Sequence, residues 1–383
     1  MRILAIAPDK LPLPPIKGGS VETVMHNFFS RMARTHNVTI VSSAHPRLPR
    51  VSRSAKGTLL YYRIPYKNGK AYIRLAMKKL QRRNFDIIQV DNRPTFLPVI
   101  RKAFPGTPIV LSLHSLHFLS KLSKRQGNNV LRHADGVTCV VSALADTFKA
   151  RYPKHAAKFE PMLLGVDTAK FRPRSEAYKT KIRKKYGLSA SYNLLFVGRI
   201  VPRKGLHTLV EAAALLRKED KRVAIVAVGA SWPGVKKETG YIKKVRRLAK
   251  SLGVPIHFTG YISPNRIHDM YHLADIFVCP TQYKEGFACV NSEAMASGIP
   301  LVASARGGIL EVVEDGRSGL LVEAYKSPRA FADALSRIKN NPELAKQLSS
   351  GGRSRVVARF GWPESVRRLE AYYQSKIQHS EST

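Results

Sequence analysis

The chain has 383 residues and a formal net charge of +39, from 65 Lys and Arg residues against 26 Asp and Glu residues. Its apolar content of 44% and charged content of 24% are those of an ordinary folded protein and exclude a disordered or fibrous chain. At roughly 100–200 residues per domain, this length predicts two domains with separate hydrophobic cores.

Three features of the sequence predict a cytoplasmic protein. No apolar run approaches the ~20 residues that span a bilayer, and the first apolar stretch is too short for a signal peptide. The three cysteines have neither metal-site spacing nor a CxxC motif, which predicts a reduced chain without disulfides.

The excess of positive charge predicts an anionic partner, and it is concentrated in the first half of the chain. Cationic surfaces attract nucleic acid, anionic lipid, acidic polymers and nucleotide-bearing substrates. The chain has no nucleic-acid recognition motif, so a specific nucleic acid ranks last among these partners.

Short β-branched runs alternate with helical patterns along the chain. In the first half, strands are predicted at residues 2–7, 38–42, 86–90, 108–113 and 136–141. After a basic, proline-bearing stretch, a second series is predicted at residues 192–198, 222–228, 256–259, 275–279, 300–303 and 319–322. This alternation predicts two α/β domains, each a doubly wound parallel sheet with ligands at the carboxyl ends of its strands.

The domain borders follow from these two series. We place the first domain at residues 1–170 and the second at residues 171–362. A terminal helix follows at residues 363–378, with its apolar side chains in one stripe. Two doubly wound domains of similar size leave a cleft between them, which is the usual place for a small-molecule site.

The first candidate site is the sequence Lys17-Gly18-Gly19-Ser20, at the start of the first predicted helix. Two glycines at a helix N-terminus let backbone N–H groups approach an anion closely, and the helix dipole favours negative charge there. The alternative is a flexible loop that ends in a Ser20 helix cap.

The second candidate site, residues 198–205, directly follows the first predicted strand of the second domain. Arg199 and Lys204 stand at the carboxyl edge of this strand, where the phosphate-binding turn of a doubly wound domain belongs. A guanidinium supplies forked donors and an ammonium a compact charge, a pair suited to a diphosphate. The alternative is a solvated turn of an unusually basic chain.

The third candidate site consists of Glu285 and Glu293, at the start of a helix predicted at residues 288–297 that stops at Gly298. Glu285 lies before this helix and Glu293 roughly two turns further along. Two carboxylates so spaced can accept from separated hydroxyls of one polyhydroxylated ligand, while the helix N-terminus faces a phosphate. Alternatively, Glu285 only complements the helix dipole and Glu293 is solvated.

Taken in order, these motifs resemble those of the retaining glycosyltransferases of family 4. The series comprises a glycine pair, a histidine after a strand, an Arg and Lys pair, two glutamates and a second glycine pair: Gly18-Gly19, His114, Arg199 and Lys204, Glu285 and Glu293, Gly307-Gly308. The resemblance covers nearly the whole chain. It implies the GT-B fold, in which two Rossmann-like domains face a central cleft and the terminal helix returns to the first domain.

Three segments are similar to the spore-coat-associated branch of this family. They are Asn92-Arg93-Pro94, Leu111-Ser112-Leu113-His114 and Gly229-Ala230-Ser231-Trp232. The last segment, which continues into Pro233 and Gly234, replaces the Gly-Asp-Gly-like turn that many members of the family carry.

The resemblance implies donor-binding roles in the second domain. Arg199 and Lys204 would hold the nucleotide diphosphate and stabilise the charge of the leaving group. Glu285 would hold hydroxyls of the donor sugar beside three backbone N–H groups, those of Gly286, Phe287 and Ala288. Glu293 would bind the ribose hydroxyls.

The remaining implied contacts concern the base and the first domain. The backbone at Tyr261 and Ile262 would bind the base, and Gly19, next to Gly18, would lie close to the diphosphate. His114 would contact the donor sugar near the reacting centre, although a lone histidine at a strand end is usually structural. The predicted catalytic residues are therefore His114, Glu285, Arg199 and Lys204.

The activity implied is that of a retaining glycosyltransferase. It would move a sugar from a nucleotide sugar, with UDP as the expected nucleotide, to a cell-envelope, polysaccharide or spore-coat acceptor. The chain has no Asp-x-Asp, so we expect no metal and no cofactor, and cationic side chains would stabilise the departing diphosphate. Two other interpretations stay open: a UDP-N-acetylglucosamine 2-epimerase of the same fold, and a non-catalytic coat or scaffold protein.

Residues 74–83 are predicted to form a basic amphipathic helix, with Leu75, Met77 and Leu80 on its apolar side. Cations near an anionic membrane contribute about 1 kcal/mol each. We therefore expect the first domain to dock on an anionic surface, either the inner membrane face or an acidic polymer. The alternative is a solvated helix face that packs on its own sheet.

Overall fold

The computed structural model describes residues 1–16, 18–65, 67–188, 191–232, 234 and 238–381. The chain divides into two compact units: residues 1–165 with the segment from Trp362 onward, and residues 166–361. The first unit ends a few residues before the predicted border at 170. Val166 already belongs to the second unit, where its N–H donates to the carbonyl of Phe360 at 2.7 Å.

The first unit is built on a mostly parallel sheet. Its strands among the described residues are β1 (Arg2–Ile6), β2 (Asn37–Ser43), β3 (Val51–Arg53), β4 (Leu59–Ile64), β5 (Ile87–Asp91), β6 (Ile109–Leu113), β7 (Gly136–Cys139) and β8 (Phe159–Pro161). They lie in the order β3-β4-β2-β1-β5-β6-β7-β8, and β3 is antiparallel to β4.

The five strands predicted in this unit are confirmed to within two residues at each end. The strands that the sequence pattern did not predict are β3, β4 and β8. Both β3 and β8 are only three residues long, and β4 contains the charged Arg63. This guanidinium is buried because it donates to the carbonyls of Leu13 and Pro49, each at 2.7 Å.

Helices lie between most of these strands along the chain. They are α1 (Ser20–Met32), α2 (Gly69–Leu80), α3 (Leu97–Ala103), α4 (His117–Ser120), α5 (Lys124–Leu131) and α6 (Ser142–Arg151). The apolar side of α2 differs from the prediction: Ile73 and Met77 are buried, whereas Leu75 is 36% exposed. Leu75 is two residues, roughly 200° of helix rotation, from each of them, so it points away from the sheet.

The second unit has a fully parallel sheet among its described residues. Its strands are β9 (Tyr192–Val197), β10 (Val223–Val228), β11 (Ile256–Gly260), β12 (Ile276–Cys279), β13 (Leu301–Ser304) and β14 (Leu320–Val322). They lie in the order β11-β10-β9-β12-β13-β14, with every pair parallel. All six predicted strands are confirmed to within one residue at each end, because buried parallel strands are continuous apolar runs.

Helices alternate with the strands of the second unit along the chain. They are α7 (Glu176–Lys185), α8 (Leu206–Leu216), α9 (Gly240–Ser251), α10 (Ile267–Met270), α11 (Cys289–Ala296), α12 (Ile309–Val312), α13 (Pro328–Lys339) and α14 (Pro342–Arg359). The helix predicted at residues 288–297 is confirmed as α11. It ends where Gly298 adopts a left-handed φ of 70°, a conformation that glycine takes at little cost.

Each sheet has one point at which the strand order reverses. In the first unit the chain leaves β1 towards β2 on one side, and β5 lies on the other side. In the second unit the equivalent neighbours are β9 and β12. Loops that leave such neighbours turn in opposite directions, so a crevice opens at their carboxyl ends, where doubly wound proteins bind ligands.

The chain ends in helix α15 (Trp362–Glu381), which belongs to the first unit. The Trp362 ring lies edge-on to Phe28 of α1, with ring centroids 4.9 Å apart, and Tyr373 is fully buried. Among the helices described here, none has the length and apolar character needed to cross a membrane.

Candidate active site

Candidate residues of the second unit gather at the switch point of its sheet. The turn after β9 carries Arg199 and Lys204, and the loop after β12 carries Glu285. The carboxyl ends of adjacent parallel strands meet at one edge. The fold therefore brings Lys204 and Glu285 into contact although 81 positions separate them in sequence.

Lys204 and Glu285 form a partly buried ion pair. The Lys204 Nζ donates to Glu285 Oε1 at 2.5 Å, and the two side chains are only 18% and 6% exposed. Burial disfavours the charged ammonium, but the neighbouring carboxylate outweighs it and raises the pKa of Lys204 above its usual value. Lys204 is therefore a stable cation at the carboxyl edge of this sheet.

The Glu285 carboxylate has two further donors from its own loop. The Thr281 hydroxyl donates to Oε1 at 3.0 Å, and the Tyr283 hydroxyl donates to Oε2 at 2.5 Å. Three donors on one carboxylate fix its orientation and stabilise its negative charge. The sequence identified Glu285 and Lys204 separately but did not predict that they pair, nor that Thr281 and Tyr283 hold the acid.

Arg199 lies in the same turn, with its guanidinium 5.4 Å from the centroid of the Trp232 ring. Burial is the main cause that lowers the pKa of Arg199, with a contribution from the neighbouring Arg203. No salt-bridge partner of Arg199 is found among the described residues. Its charge is thus available to an anion at this edge of the sheet.

The backbone around Glu285 is held by the second glycine pair of the sequence. The N–H of Gly308 donates to the Glu285 carbonyl at 3.0 Å, and Gly307 has a φ of 58°. A Cβ on Gly307 would press against the backbone of Glu285, so this position requires glycine. Phe287 is buried, and its ring lies edge-on to that of Phe360. The role of its backbone N–H in donor binding stays a prediction.

Helix α11 begins directly after this loop, with Ala288 in a left-handed conformation at φ 51° and ψ 60°. Such a backbone is unusual for a residue with a side chain, and it reorients the peptide groups between Gly286 and the helix. The N–H groups of the first turn of α11 lie near the Glu285 loop.

Glu293 lies on α11 and is partly buried rather than solvated. The Tyr271 hydroxyl donates to its Oε2 at 2.5 Å. Burial raises the pKa of Glu293 to about 7, and the hydrogen bond from Tyr271 opposes this shift only in part. The alternative of a freely solvated carboxylate is therefore wrong.

This raised pKa predicts a pH dependence of stability. The folded chain binds the Glu293 proton more tightly than the unfolded chain, whose ordinary value is 4.5. The stabilisation is thus present below about pH 4.5 and is lost as the pH rises through 7. In Glu293→Gln this loss should disappear. The wild type should therefore lose up to about 3 kcal/mol relative to the variant between pH 4.5 and 8, measured by urea unfolding.

Glu343→Gln provides a matched control, because Glu343 is an exposed glutamate in the first turn of α14. The difference in free energy of unfolding between Glu343→Gln and the wild type should not change over the same pH range. If the difference in free energy of unfolding between the wild type and Glu293→Gln does not change with pH, the raised pKa of Glu293 is contradicted.

The loop after β10 borders the Arg199 turn, because the Ile200 N–H donates to the Ala230 carbonyl at 3.0 Å. A Cβ on Gly229 would collide with the carbonyl oxygen of Gly198, so the glycine that opens the Gly229-Ala230-Ser231-Trp232 segment serves the fold. Pro233, which follows, lies outside the described residues. After β11, Tyr261 and Ile262 are half-buried, and burial raises the pKa of the Tyr261 hydroxyl.

In the first unit, His114 follows β6 at the sheet edge, next to the end of β5. Its Nε2 lies 2.8 Å from Asp91 Oδ1, and the two side chains are 9% and 1% exposed. Its backbone N–H donates to the Asn92 side chain at 2.9 Å. Asp91 was not predicted as a functional residue, although a carboxylate at the end of a buried strand beside that of His114 was a usable signal.

The Gly18-Gly19 pair stands at the N-terminus of α1, with φ values of 80° and 117°, whereas Lys17 lies outside the described residues. Glu22 folds back onto this terminus and is 5% exposed. A Cβ on Gly19 would collide with its carboxylate, and burial raises the pKa of Glu22. A buried acid therefore already occupies the region predicted to approach a diphosphate. The role of Gly18 and Gly19 in donor binding stays a prediction.

Two family models match this chain. The model of glycosyl transferases group 1 matches residues 178–355, in the second unit, and the model of Glycosyltransferase Family 4 matches residues 18–170, in the first. The chain therefore belongs to the family 4 and group 1 glycosyltransferases.

Relatives along the full length agree with this assignment. The chain is 32% identical over 382 residues to the candidate glycosyltransferase YtcC of Bacillus subtilis, covering 98% of this chain and 93% of that protein. It is 28% identical over 379 residues to spore coat protein SA of the same organism, with coverage of 98% and 99%. The resemblance to the spore-coat-associated branch is confirmed.

A solved structure shows the same fold. The crystal structure of Anabaena Alr3699/HepE in complex with UDP superimposes with a TM-score of 0.80 at 20% identity, covering 98% of this chain and all of that one. The two Rossmann-like units therefore have the GT-B fold. The family models and the full-length relatives show that the chain is a glycosyltransferase.

Proposed function

We propose that this glycosyltransferase is retaining, requires no metal, and takes its sugar from a nucleotide sugar bound at the carboxyl edge of the second sheet. The observation that carries the proposal is the Lys204–Glu285 pair at the switch point, with the Arg199 cation in the same turn. A diphosphate needs concentrated positive charge, and a sugar needs an oriented acceptor of hydroxyl hydrogens; this edge offers both.

The side chains divide this work. Lys204 and Arg199 hold the diphosphate and stabilise the charge that develops as it leaves. The backbone N–H groups of Gly286, Phe287 and Ala288 add neutral donors beside it. Glu285 keeps its donors Thr281 and Tyr283 and accepts in addition from a hydroxyl of the sugar, since a carboxylate offers about four acceptor sites.

We propose UDP as the nucleotide, since the Anabaena structure of the same fold holds UDP. Glu293 would accept from the ribose hydroxyls, and the backbone at Tyr261 and Ile262 would bind the base. In the first unit, His114 would contact substrate. At 100 times its Kd, the correct nucleotide sugar should stabilise the protein by about 2.7 kcal/mol.

Thermal unfolding with a panel of nucleotides and nucleotide sugars tests the donor site. Glu293→Gln should lose most of the stabilisation by UDP-sugars, whereas Glu343→Gln, at an exposed carboxylate, should keep it. If a folded Glu293→Gln variant binds every nucleotide with wild-type affinity, the assignment of Glu293 to the donor site is wrong.

Turnover should be the same in EDTA and with added Mg²⁺ or Mn²⁺, because side-chain cations stabilise the leaving diphosphate. Loss of turnover in EDTA that added metal restores would contradict this. The product should keep the anomeric configuration of the donor sugar, which NMR of the new glycoside reports. An inverted product, or an epimerised free nucleotide sugar formed without acceptor, would overturn the retaining transfer.

We propose a cell-envelope, polysaccharide or spore-coat acceptor, and an anionic surface as the docking place of the first unit. Helix α2 supports this, because it exposes Arg74, Lys78 and Lys79 around the exposed Leu75. A face with cations around an apolar side chain suits the headgroup region of an anionic bilayer.

Co-sedimentation with phosphatidylglycerol vesicles and with an anionic polysaccharide tests this surface over a range of salt concentrations. Binding should weaken as salt rises and should be lost in Lys78→Glu/Lys79→Glu. A matched control, Lys243→Glu/Lys244→Glu, changes the same charge on exposed lysines of α9 in the second unit and should bind like the wild type. Equal binding to neutral vesicles would contradict the electrostatic mechanism.

A further inference from the structure

A chain of hydrogen bonds runs from the terminal helix to His114 through the interior of the first unit. The Tyr373 hydroxyl of α15 donates to Gln89 Oε1 at 2.5 Å, and the Gln89 amide donates to Asp91 Oδ2 at 2.9 Å. The other oxygen of Asp91 lies 2.8 Å from His114 Nε2. The side chains of Gln89 and Asp91 thus connect the Tyr373 hydroxyl with the His114 imidazole.

Every member of this chain is shielded from water. Tyr373 is 0% exposed, Gln89 4% and Asp91 1%. Gln89 and Asp91 are two residues apart on β5, so both side chains project from the same face of the sheet. Burying a phenol, an amide and a carboxylate costs free energy that apolar side chains of the same size would not require.

The hydrogen bonds also determine which nitrogen of His114 carries the proton. An ionised carboxylate only accepts, so the Asp91 oxygens take one hydrogen from the Gln89 amide and one from His114 Nε2. The imidazole must then carry its proton on Nε2, and Nδ1 is the nitrogen that remains for a ligand. Tyr373 in turn keeps the Gln89 carbonyl away from Asp91, because it donates to that oxygen.

The imidazole also has little free space. His114 lines a small cavity of about 10 Å³, together with apolar residues of α1, with Leu369 of α15, and with polar side chains that include Gln89 and Asp91. This is about the space that one water molecule needs, so the ring is confined on this side. The terminal helix thus contributes both packing and a hydrogen bond to the surroundings of His114.

We propose that Asp91, Gln89 and Tyr373 are positioning residues that hold His114 with Nε2 protonated and Nδ1 presented to substrate. This inference rests on the proposed function, in which His114 contacts substrate. Tyr373 acts on the reaction through Gln89 and Asp91, in the same way that outer hydrogen-bond partners orient a ligating or catalytic histidine.

The chain of hydrogen bonds from Tyr373 through Gln89 and Asp91 to His114 is called the relay below. Tyr373→Phe tests its far end, and Tyr372→Phe is the matched control. Tyr372 is also buried on α15, but its hydroxyl takes no part in the chain of hydrogen bonds. Tyr373→Phe should lower kcat about tenfold with less than about a twofold change in donor KM, whereas Tyr372→Phe should retain the wild-type kcat. Equal kcat values for the two variants would overturn the relay.

NMR of ¹⁵N-labelled histidine gives a readout that a structural role alone would not change. The His114 signals are identified by their absence from the spectrum of His114→Gln. In the wild type they should report the Nε2–H tautomer, and in Tyr373→Phe and Gln89→Leu a mixture of tautomers. An unchanged tautomer in both folded variants would also overturn the proposal.

Asp91→Asn keeps the shape of the side chain but lets an amide face the imidazole. It should lower kcat on the order of 100-fold, and Asp91→Glu should restore part of this loss. If His114→Gln turns over like the wild type while the tautomer responds as expected, the substrate role of His114 in the proposed function fails and the relay stands. If the tautomer does not respond while His114→Gln is inactive, the relay fails and the proposed function stands.

Discussion

Replacing Lys204 with methionine is expected to lower kcat/KM by about 10²–10³-fold. Methionine keeps much of the length of the lysine side chain but removes the ammonium that would stabilise the departing diphosphate. Arg199 remains in the same turn, so the loss should fall short of complete inactivity. Initial rates at varied donor concentrations measure the effect, and Lys218→Met, at an exposed lysine, is the control.

This substitution also has a cost in stability, which must be separated from its effect on catalysis. In Lys204→Met the Glu285 carboxylate stays buried and loses its cation, although Thr281 and Tyr283 still donate to it. Breaking a buried pair in this way costs about 3 kcal/mol, and the double variant Lys204→Met/Glu285→Gln should recover much of it. Urea unfolding measures both.

The double variant should remain as inactive as Lys204→Met or more so, because neither the cation nor the carboxylate is present. Recovered stability without recovered turnover would separate the role of the pair in the site from its role in the fold. Wild-type turnover in a folded Lys204→Met variant would contradict the assignment of Lys204 to the leaving group.

Gly205→Ala is expected to lower the free energy of unfolding of the second unit by more than about 3 kcal/mol. Gly205 has a left-handed φ of 73° and precedes α8. A Cβ at this position would collide with the carbonyl oxygen of Pro280, at the end of β12. The glycine thus allows the Lys204 turn to approach the strand that leads to Glu285.

Gly253→Ala separates the collision from the conformational strain. Gly253 has a similar φ of 63°, but a Cβ there would have no atom within 4 Å. Its substitution should cost about 1 kcal/mol, from the left-handed backbone alone. Circular dichroism in urea measures the free energy of unfolding of both variants. An equal decrease in the two would show that the contact with Pro280 has no energetic effect.

Much of the architecture was predictable from local patterns. The strands of the second sheet, five strands of the first, helix α11 and its end at Gly298 follow from apolar periodicity and glycine position, which are properties of neighbouring residues. Strand β4 escaped prediction because Arg63 interrupts its apolar pattern, and distant carbonyls compensate its buried charge. The prediction for Leu75 was wrong, because this apolar residue lies roughly 200° of helix rotation from the buried Ile73 and Met77.

Local sequence patterns were enough to predict the fold class, most of the strands, the family and the edge at which Arg199, Lys204 and Glu285 lie. These depend on local periodicity and on the rule that parallel strands present their carboxyl ends together. Which side chains meet depends on how the strands are arranged in space. Tyr373 and Gln89 bond across 284 positions, and Asp91 finds His114 because β5 and β6 are neighbours. Hydrogen bonds require donor and acceptor atoms to be placed within tenths of an ångström. The strand order brings these atoms together, and no local pattern of residues encodes it.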